Sequence, residues 1–411
     1  MQGRTFSCAR ENNMAEKVKT IVLGVTGSIA AYKAAELASR FTAEGFRVDV
    51  IMTQSAQQFI APLTFRSITG RPVVTTMWDL ASEFSVEHIA LAEAADVVLI
   101  APATANIIAK IACGMADDML SCTVLATKAP VVIAPSMNDN MWSNAVTREN
   151  VARLSKRGVT FVGPAHGRLA SGKMGLGRLT SLDDIYGITL QVLGRKGDLA
   201  GKHIVVTAGG TQEPVDPVRC LTNRSSGKMG YAVAETARNR GAEVTLISAP
   251  TSLAVPPGIK VVAIRTAEEM LKAVQDTAKT ADALIMAAAV ADFRPVEAAS
   301  KKIKRQDLSQ LTVELERTPD ILAQVKGSFI RVGFAAESHD VVANAREKVK
   351  RKGLDLIVAN DITEKDCGFG TETNRVTIID SKGKVDELPL LHKGQVAERI
   401  LDKLLTLLKR R

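Results

Sequence analysis

The sequence predicts two α/β units, each a doubly wound, Rossmann-like parallel sheet with helices on both faces. Short β-branched apolar runs alternate with segments of helical periodicity, and the runs end in turns rich in polar residues, Gly or Pro. The alternation restarts near the middle of the chain. Because strands joined by helices pair in parallel, this order favours a doubly wound sheet in each half. The 411 residues suit two or three domains of roughly 100–200 residues.

The first half opens with a strand at 20–25, whose continuous β-branched run is typical of burial on both faces. Apolar residues at helical spacing follow over 28–44, with Ser28 as the N-cap and Gly45 as the stop. Three further strands are predicted at 47–53, 96–104 and 130–136.

The second half begins after a charged, glycine-containing and aperiodic stretch, within which we place a linker. A strand with a glycine turn at 202–211 then opens a second unit, and the two halves share only this opening. They are therefore predicted to be different domains. The further predicted helices are 231–240 and 267–278, and the further strands are 242–248 and 281–290. The predicted domains are a flexible tail at 1–17, units at 18–190 and 202–411, and the linker at 191–201.

The chain carries 53 Lys and Arg against 44 Asp and Glu, which leaves a net charge of +9. Such an excess suits nucleic acid, an anionic membrane or small polyanionic substrates. Only 4% of the residues are aromatic, which disfavours base stacking as a main activity. The most apolar stretches are interrupted by charges such as Glu93, Asp96 and Lys110, so we expect no membrane span.

Five cysteines are scattered along the chain without a CxxC pair. This usage predicts a reducing, cytoplasmic compartment and no disulfide framework. The polar N-terminal residues lack the apolar core of a signal peptide, and Met14 is an alternative start.

A glycine loop, G-V-T-G-S-I-A at 24–30, follows the first strand and opens a helix, where backbone N–H groups favour an anion. Its spacing differs from the dinucleotide fingerprint, and the next strand ends in hydroxyls, Thr53 and Ser55, where a ribose diol would require a carboxylate. The loop therefore suits the phosphate of a mononucleotide such as FMN better than NAD. The alternative is a plain tight turn between strand and helix.

The second half contains Gly227 and Lys228, a pair that is also found in P-loops. Thr222 stands where that motif needs its first Gly, and Met229 where it needs Ser or Thr, so we reject a P-loop. A Gly/Ser-rich anion cradle remains the prediction, with Asn223 placed to donate to a developing oxyanion.

Three segments of the first half carry residues suited to chemistry. His88 is a lone histidine predicted to stand just before a helix, and a lone histidine is usually structural. The run P-S-M-N-D-N-M-W at 135–142 follows a strand, and ligands bind at the carboxyl ends of such strands. A glycine-punctuated segment at 167–178 is typical of a mobile clamp, with a solvated loop as the alternative.

The second half holds a series of specific motifs in a fixed order. They are A-A-V-A-D-F-R-P at 288–295, K-I-K at 302–304, T-P-D-I at 318–321, G-F-A-A-E at 333–337 and D-L-I-V-A-N-D at 355–361.

On these motifs the first half resembles the homo-oligomeric flavin-containing cysteine decarboxylases, and the second half resembles phosphopantothenate–cysteine ligase. From about residue 18 the chain therefore resembles the bifunctional phosphopantothenoylcysteine decarboxylase / phosphopantothenate–cysteine ligases of bacterial coenzyme A synthesis. The resemblance implies a flavoprotein fold followed by the ligase fold. It also implies CTP-dependent joining of 4′-phosphopantothenate to cysteine through an acyl-cytidylate, then FMN-dependent decarboxylation to 4′-phosphopantetheine.

In the first half the resemblance assigns catalysis to His88 and the grip on the substrate carboxylate to Asn138. Ser171 stands where family members commonly carry a proton-donating Cys. A hydroxyl is a far weaker acid than a thiol, whose reference pKa is about 8.5. Either water or another group is then expected to donate the last proton, or the final reduction is expected to be slow. The residues at the family's FMN-binding places are Gly24, Gly27, Ser28, Thr53, Ser55, Ala103, Thr104, Ala105 and Asn106.

In the second half the resemblance implies that Asn223 holds the acyl-cytidylate and that Lys302, on a flexible flap, stabilises the triphosphate. Mg²⁺ is expected to be carried mainly by the CTP phosphates, with no protein ligands named. A solvated charged face is the alternative for the basic runs at 301–305 and 348–352. The residues matching CTP contacts are Met286, Ala287, Ala288, Asp292, Lys302, Pro319, Asp320, Ile321, Leu322, Phe334, Lys348 and Lys352.

The resemblance also implies a homo-oligomer, with decarboxylase trimers that are often built into a dodecamer and ligase domains that pair as dimers. The expected partners are small molecules, with neither nucleic acid nor membrane. Two other classes of protein are alternatives to a bifunctional enzyme of coenzyme A synthesis. An NAD(P)-dependent oxidoreductase is disfavoured by the missing ribose carboxylate. A basic RNA- or DNA-binding protein is disfavoured because the basic runs adjoin motifs of a nucleotide site.

Overall fold

The structure is a computed structural model that describes residues 18–78, 87–304, 310–337, 340–361 and 370–411. The chain divides into two compact units, one ending at Val192 and the other running from Leu193 to Arg411. The predicted N-terminal tail at 1–17 lies outside the described residues, as does Arg305 of the basic run.

The first unit is a parallel sheet of six strands in the order β3-β2-β1-β4-β5-β6. A separate two-stranded hairpin, β7–β8, follows it. The strands are β1 (Thr20–Val25), β2 (Arg47–Met52), β3 (Val73–Val74), β4 (Val97–Ala103), β5 (Val131–Pro135), β6 (Thr160–Phe161), β7 (Ala165–Arg168) and β8 (Met174–Arg178). The helices are α1 (Tyr32–Ala43), α2 (Pro62–Thr69), α3 (Glu87–Ala94), α4 (Ala105–Cys113), α5 (Met119–Ala126), α6 (Asp139–Ser143), α7 (Ala145–Lys156) and α8 (Leu182–Gly194).

All four predicted strands of this unit are present within one residue at each end. β1 is wholly buried, as expected for a strand covered on both faces. Ser28 caps the predicted helix by accepting from the Ala30 N–H, and a short 3₁₀ turn at Ile29–Ala31 leads into α1. The strand order reverses between β1 and β4, so the loops after these strands border a crevice at the carboxyl edge.

The second unit repeats this strand order in a mixed sheet of eight strands, β13-β12-β9-β14-β17-β18-β20-β21. Its first six strands are parallel and its last two antiparallel. The strands are β9 (His203–Ala208), β10 (Gln212–Pro214), β11 (Cys220–Thr222), β12 (Glu243–Ser248), β13 (Lys260–Ala263), β14 (Ala283–Met286), β15 (Phe293–Pro295), β16 (Leu315–Arg317), β17 (Ile330–Glu337), β18 (Leu356–Asp361), β19 (Thr373–Asn374), β20 (Val376–Asp380), β21 (Val385–Glu387) and β22 (Leu391–His392). The helices are α9 (Lys228–Asn239), α10 (Ala267–Thr277), α11 (Ile321–Gln324), α12 (Val341–Lys352) and α13 (Lys393–Leu408).

The two faces of this sheet are covered by different helices. One core contains Val206, Val332 and Val358 together with residues of α9 and α13. The opposite face packs against α10 and α11 in one cluster and against α12 in another. The second sheet is therefore doubly wound, as the alternation of strands and helices predicts.

The division between the two compact units falls inside the predicted linker at 191–201, but this segment is packed rather than free. Helix α8 continues to Gly194, Leu199 is buried, and its N–H donates to the Arg240 carbonyl at 3.1 Å. The charge that suggested a solvated linker comes partly from Asp198, whose carboxylate is paired with Arg240 at 2.6 Å.

The strand predicted at 281–290 is also shorter than expected, since β14 ends at Met286. Past this point the Ala288 N–H donates to the Thr207 hydroxyl at 3.1 Å, and the Ala289 N–H donates to the Gly209 carbonyl at 2.8 Å. The segment thus leaves the regular ladder and lies along the glycine turn that follows β9.

Candidate active sites

The crevice of the first unit is held together by Thr26, a residue that motif reading missed. Its hydroxyl donates to the Pro102 carbonyl at 2.7 Å and accepts from the Thr104 N–H at 3.1 Å. Beside it the hydroxyls of Ser28 and Ser136 lie 3.0 Å apart. The loops after β1, β4 and β5 are therefore fixed to one another by hydroxyl groups.

The two glycines predicted to bind FMN, Gly24 and Gly27, are required for different structural reasons. A Cβ on Gly27 would stand 2.4 Å from the Ser55 Cβ, so only glycine lets the loops after β1 and β2 approach. A Cβ on Gly24 would stand 2.5 Å from Leu120 Cδ1, inside the core. Packing against Leu120 therefore explains why residue 24 is a glycine, whether or not a ligand binds nearby.

The remaining predicted FMN residues surround the same edge. Thr53 follows β2 and its hydroxyl accepts from the Ala56 N–H at 3.3 Å. Thr104 caps α4 by accepting from the Ile107 N–H, with Ala103 before it and Ala105 and Asn106 in the first turn. This set offers hydroxyls, backbone and two helix N-termini, with no carboxylate among the predicted residues. Such a donor set fits a phosphorylated, anionic group like FMN.

Asn138 caps α6, and its Oδ1 accepts from the Asn140 N–H at 3.0 Å. The β7–β8 hairpin lies against the preceding residue, because the Met137 N–H donates to the Gly177 carbonyl at 2.9 Å. A Cβ on Gly177 would stand 2.3 Å from the Met137 oxygen. The predicted clamp is therefore a hairpin fixed against the Asn138 segment, and Ser171 is exposed at its turn.

His88 is the second residue of α3, so the prediction that it precedes the helix is wrong. Helix α3 packs mainly on α5, whereas α6, which Asn138 caps, packs on α7 and β8. In the described part of the chain no hydrogen bond joins His88 to Asn138. The two predicted catalytic residues therefore belong to elements whose main packing contacts differ.

In the second unit a cleft of about 850 Å³ opens at the carboxyl edge of the sheet. The strand order reverses there between β9 and β14, where open α/β sheets bind ligands. The structure brings nearly all predicted ligase residues to this cleft. Those lining it are Asn223, Met286, Ala287, Ala288, Asp292, Pro319, Asp320, Ile321, Leu322, Phe334, Lys348 and Lys352.

The two cleft lysines of α12 are both paired with carboxylates. Lys348 Nζ lies 2.6 Å from Glu337 Oε1, and Lys352 Nζ lies 3.2 Å from Asp320 Oδ2. Asp320 also caps α11 by accepting from the Ala323 N–H. The basic run at 348–352 is therefore a part of the cleft wall and not only a solvated face.

Asn223 lines the cleft with its amide already engaged. Its Nδ2 donates to the Val290 carbonyl at 3.1 Å, which ties the end of β11 to the segment after β14. Because the amide has two N–H groups, one is left for a ligand.

Lys302 is exposed and is not among the residues that line the cleft. The next residue, Ile303, is held by Asp216, which accepts from the Ile303 N–H at 3.2 Å. Arg219 donates to the Ile303 carbonyl at 3.0 Å and pairs with Asp216 at 2.5 Å. The Arg219 guanidinium, with the N–H groups of Val218, Ile303 and Arg219, holds the pKa of Asp216 well below its usual range. Asp216 anchors the base of the predicted flap, and no sequence motif pointed to it.

Asn374 and Lys393 also line the cleft, and no sequence motif pointed to them. Lys228, from the predicted anion cradle, and Asn360, from the motif at 355–361, line it as well. Asn374 and Lys393 carry no local signal, because a cross-strand pairing places them at the cleft.

Among the residues that the structure describes, no group of three or more His, Cys, Asp or Glu is arranged to hold a metal ion. Cys113, Cys122 and Cys220 are free thiols. Within those same residues, no helix combines the length and apolar character that crossing a membrane requires.

Two sequence families match the chain, one in each half. The family described as Flavoprotein matches residues 9–194, and the family described as DNA/pantothenate metabolism flavoprotein C-terminal domain matches residues 199–408. The coenzyme A biosynthesis bifunctional protein CoaBC of Vibrio vulnificus is 44% identical over 395 residues, which cover 95% of this chain and 98% of that protein.

Solved structures are similar to each half. The C-terminal domain of a coenzyme A biosynthesis bifunctional protein CoaBC is 42% identical, with a TM-score of 0.46 over 52% of this chain and 100% of that chain. A PPC decarboxylase, solved as a cysteine-to-serine mutant with pantothenoylaminoethenethiol, is 32% identical. Its TM-score is 0.38, over 42% of this chain and 97% of that chain.

Proposed function

The chain belongs to the family of coenzyme A biosynthesis bifunctional proteins CoaBC, and from this premise we propose how its two units divide the chemistry. It is a bifunctional enzyme of coenzyme A biosynthesis, with a phosphopantothenoylcysteine decarboxylase activity and a phosphopantothenate–cysteine ligase activity. The flavoprotein half carries the decarboxylase and the C-terminal half carries the ligase.

For the ligase we propose CTP as the activating nucleotide, with Mg²⁺ bound to its phosphates. Attack of the substrate carboxylate on the α-phosphorus releases pyrophosphate and leaves an acyl-cytidylate, and the cysteine amine then displaces CMP. Lys348, Lys352 and the flap residue Lys302 stabilise the phosphate charge, and Asn223 donates to the acyl group. The observation that carries this proposal is the gathering of the predicted nucleotide residues, all but Lys302, around one cleft.

For the decarboxylase we propose FMN bound at the crevice between β1 and β4. When bound, FMN supplies the two-electron chemistry that makes loss of CO₂ possible. The hydroxyls of Ser28, Thr53 and Ser55 and the first turn of α4 are suited to hold its anionic part. Asn138 holds the substrate carboxylate, and His88 moves protons at the reacting cysteine carbon.

We extend the proposal to a homo-oligomer. His88 lies on α3, and Asn138 caps α6. Within one protomer these two helices make their main packing contacts with different elements. A site assembled between protomers would bring such residues together. The trimer of decarboxylase units and the dimer of ligase units in this proposal are taken from the family resemblance. The cytoplasm is the proposed compartment, and the three free described thiols agree with it.

The test is made on the purified full chain. We expect a yellow protein with a flavin spectrum, CTP-dependent release of pyrophosphate that requires 4′-phosphopantothenate, and CO₂ release once cysteine is added. UTP and unphosphorylated pantothenate are the matched controls. Colourless protein that binds NADPH would favour an oxidoreductase. Salt-sensitive oligonucleotide binding at submicromolar Kd, without pyrophosphate release, would favour a nucleic-acid-binding protein.

A further inference from the structure

The segment that follows β14 has left the regular ladder of the sheet, so other groups hold its peptides in place. It contains Ala288 and Asp292, two of the predicted nucleotide residues, and its position therefore shapes the ligase cleft. The turn after β9 runs beside it. Gly210 and Ala289 form a parallel bridge, and the Thr211 N–H donates to the Ala289 carbonyl at 3.3 Å. Thr211, at the end of that turn, thus lies against the segment.

One peptide group of this segment is held from both sides. The Ala291 N–H donates to the Thr211 hydroxyl at 2.9 Å, and the Val290 carbonyl accepts from Asn223 Nδ2 at 3.1 Å. This N–H and this carbonyl belong to the same planar peptide, and in a trans peptide they point in opposite directions. The Thr211 hydroxyl and the Asn223 amide therefore bind opposite edges of a single peptide.

The two edges of this peptide differ in burial. Thr211 is 0% exposed and Ala291 is 7% exposed, whereas Asn223 is exposed and lines the cleft. Because a buried N–H without an acceptor is costly, the Ala291 N–H stays on the Thr211 hydroxyl. The buried hydroxyl thus sets the plane of the peptide, and the peptide carbonyl in turn sets the direction of the Asn223 amide.

The next peptide along the chain has its own anchors. The Thr318 hydroxyl donates to the Ala291 carbonyl at 2.5 Å, and the Thr318 N–H donates to the Asp292 carbonyl at 3.0 Å. Loss of the Thr211 hydroxyl would therefore loosen the peptide between residues 290 and 291 while Asp292 keeps its hydrogen bond. The effect on Asn223 is then separable from an effect on the nucleotide contacts.

We propose that Thr211 is a positioning residue of the ligase, whose hydroxyl orients the peptide between Val290 and Ala291 so that this peptide aims the amide of Asn223 at the acyl group. A misplaced donor to a developing oxyanion lowers the rate of reaction more than it lowers the affinity for the substrate. Thr211 itself is not among the described residues that line the cleft. The assignment rests on the proposed ligase function.

The experiment compares Thr211→Val, which replaces the hydroxyl by a methyl group, with Thr211→Ser, which keeps the hydroxyl. Pyrophosphate release from the full chain, with 4′-phosphopantothenate, cysteine and CTP, gives kcat and KM. We expect Thr211→Val to lower kcat about tenfold or more and to change the KM for CTP less than about threefold, whereas Thr211→Ser keeps kcat within about threefold of the wild type. Thr245→Val is the matched control. This threonine of the same unit is 2% exposed, and its hydroxyl is hydrogen-bonded to His203 Nε2 at 2.9 Å.

A double variant shows whether Thr211 acts through Asn223. Thr211→Val combined with Asn223→Ala should be no slower than Asn223→Ala alone, because both changes remove the same aimed amide. Amide hydrogen exchange over residues 288–293 gives a second readout that needs no substrate. The Ala291 N–H should exchange faster in Thr211→Val than in the wild type, and at the wild-type rate in Thr245→Val.

Thermal melting shows whether each variant is folded. Thr211→Ala, which also removes the hydroxyl, takes the place of Thr211→Val if that chain does not fold. An unchanged kcat in the folded variant, an equal loss in Thr211→Ser, or a further loss in the double variant would overturn the inference. A folded wild-type chain that binds CTP but releases no pyrophosphate with 4′-phosphopantothenate would instead contradict the proposed function.

Discussion

Lys348 Nζ lies 2.6 Å from Oε1 of Glu337, and the Glu337 side chain is only 12% exposed. The same carboxylate accepts from Asn344 through its second oxygen at 3.2 Å. The ligase cleft therefore presents one of its proposed phosphate-binding lysines already neutralised by an acid. An entering polyphosphate must displace Glu337 or share the lysine with it, so this pair sets part of the nucleotide affinity.

The first prediction concerns this pair. Glu337→Gln removes the charge that competes with the triphosphate, so CTP should bind about two- to fivefold more tightly at low salt, the range expected for a partly exposed ion pair. The gain should shrink as ionic strength rises. Calorimetric titration of CTP checks this. Glu347→Gln is the control, because Glu347 forms only an exposed ion pair with Arg351 on α12, the helix that carries Lys348. Weaker CTP binding by Glu337→Gln would show that Glu337 positions Lys348 productively.

The second prediction concerns Asp216 as an anchor of the flap. Asp216→Asn should loosen Ile303 and displace its neighbour Lys302, and we expect the ligation rate to fall about ten- to a hundredfold. The double variant with Lys302→Met should be no slower than Lys302→Met alone, because both changes remove the same interaction. Additive losses would mean that Asp216 acts independently of the flap. Pyrophosphate release measures both.

The pH dependence of stability gives Asp216 a separate readout. Its folded pKa is depressed by Arg219 and by backbone N–H groups. Its contribution is therefore complete above the unfolded pKa of about 3.9 and is lost as the pH falls below that value. Urea unfolding at pH 7 and at about pH 3 should show a smaller pH-dependent loss for Asp216→Asn than for the wild type. An identical loss in both proteins would show that Asp216 does not contribute to the pH dependence of stability.

The sequence predicts correctly those elements of the fold that depend on residues close together in the chain. The strands 20–25 and 47–53 and the Ser28 cap could be read from apolar runs and a capping residue, because neighbouring residues determine them. The packing of 191–201 could not be predicted from local patterns, because Leu199 and Asp198 are paired with Arg240, a partner distant in the sequence. Asn374 was missed for the same reason, since only the pairing of β19 with β22 brings it to the cleft.

The third prediction concerns Ser171 in the decarboxylase unit. Ser171 is exposed at the turn of the β7–β8 hairpin, where water is available as a proton source. Ser171→Ala should therefore keep its turnover within about twofold, since a hydroxyl is too weak an acid to matter. CO₂ release measures this, together with accumulation of the ene-thiol, the species that remains when CO₂ has been lost but the final reduction has not occurred. Ser155→Ala on α7 is the control. A loss of orders of magnitude with accumulated ene-thiol would identify Ser171 as the donor.

The fourth prediction tests how the segment predicted as a linker is held to the second unit. Arg240, with a side chain only 13% exposed, pairs with Asp198 at 2.6 Å and with Asp402 and Glu398 at 2.8 and 3.1 Å. These contacts join residue 198, the end of α9 and helix α13. Arg240→Met leaves three half-exposed carboxylates close together without their cation. We expect it to lower the unfolding free energy by about 1–3 kcal/mol, an intermediate value between exposed and buried pairs.

Thermal melting of the full chain measures this loss. For a unit of this size, each kcal/mol corresponds to a Tm shift of roughly 2–4 °C. Lys279→Met, which removes only an exposed pair with Asp276, should stay within about 0.5 kcal/mol of the wild type. If Arg240→Met were as stable as this control, residues 193–201 would be held by the burial of Leu199 and by the hydrogen bond from its N–H to the Arg240 carbonyl, which the substitution does not remove. Leu199→Ala would then lower the stability more than Arg240→Met, because it removes that buried side chain and leaves the ion pairs intact.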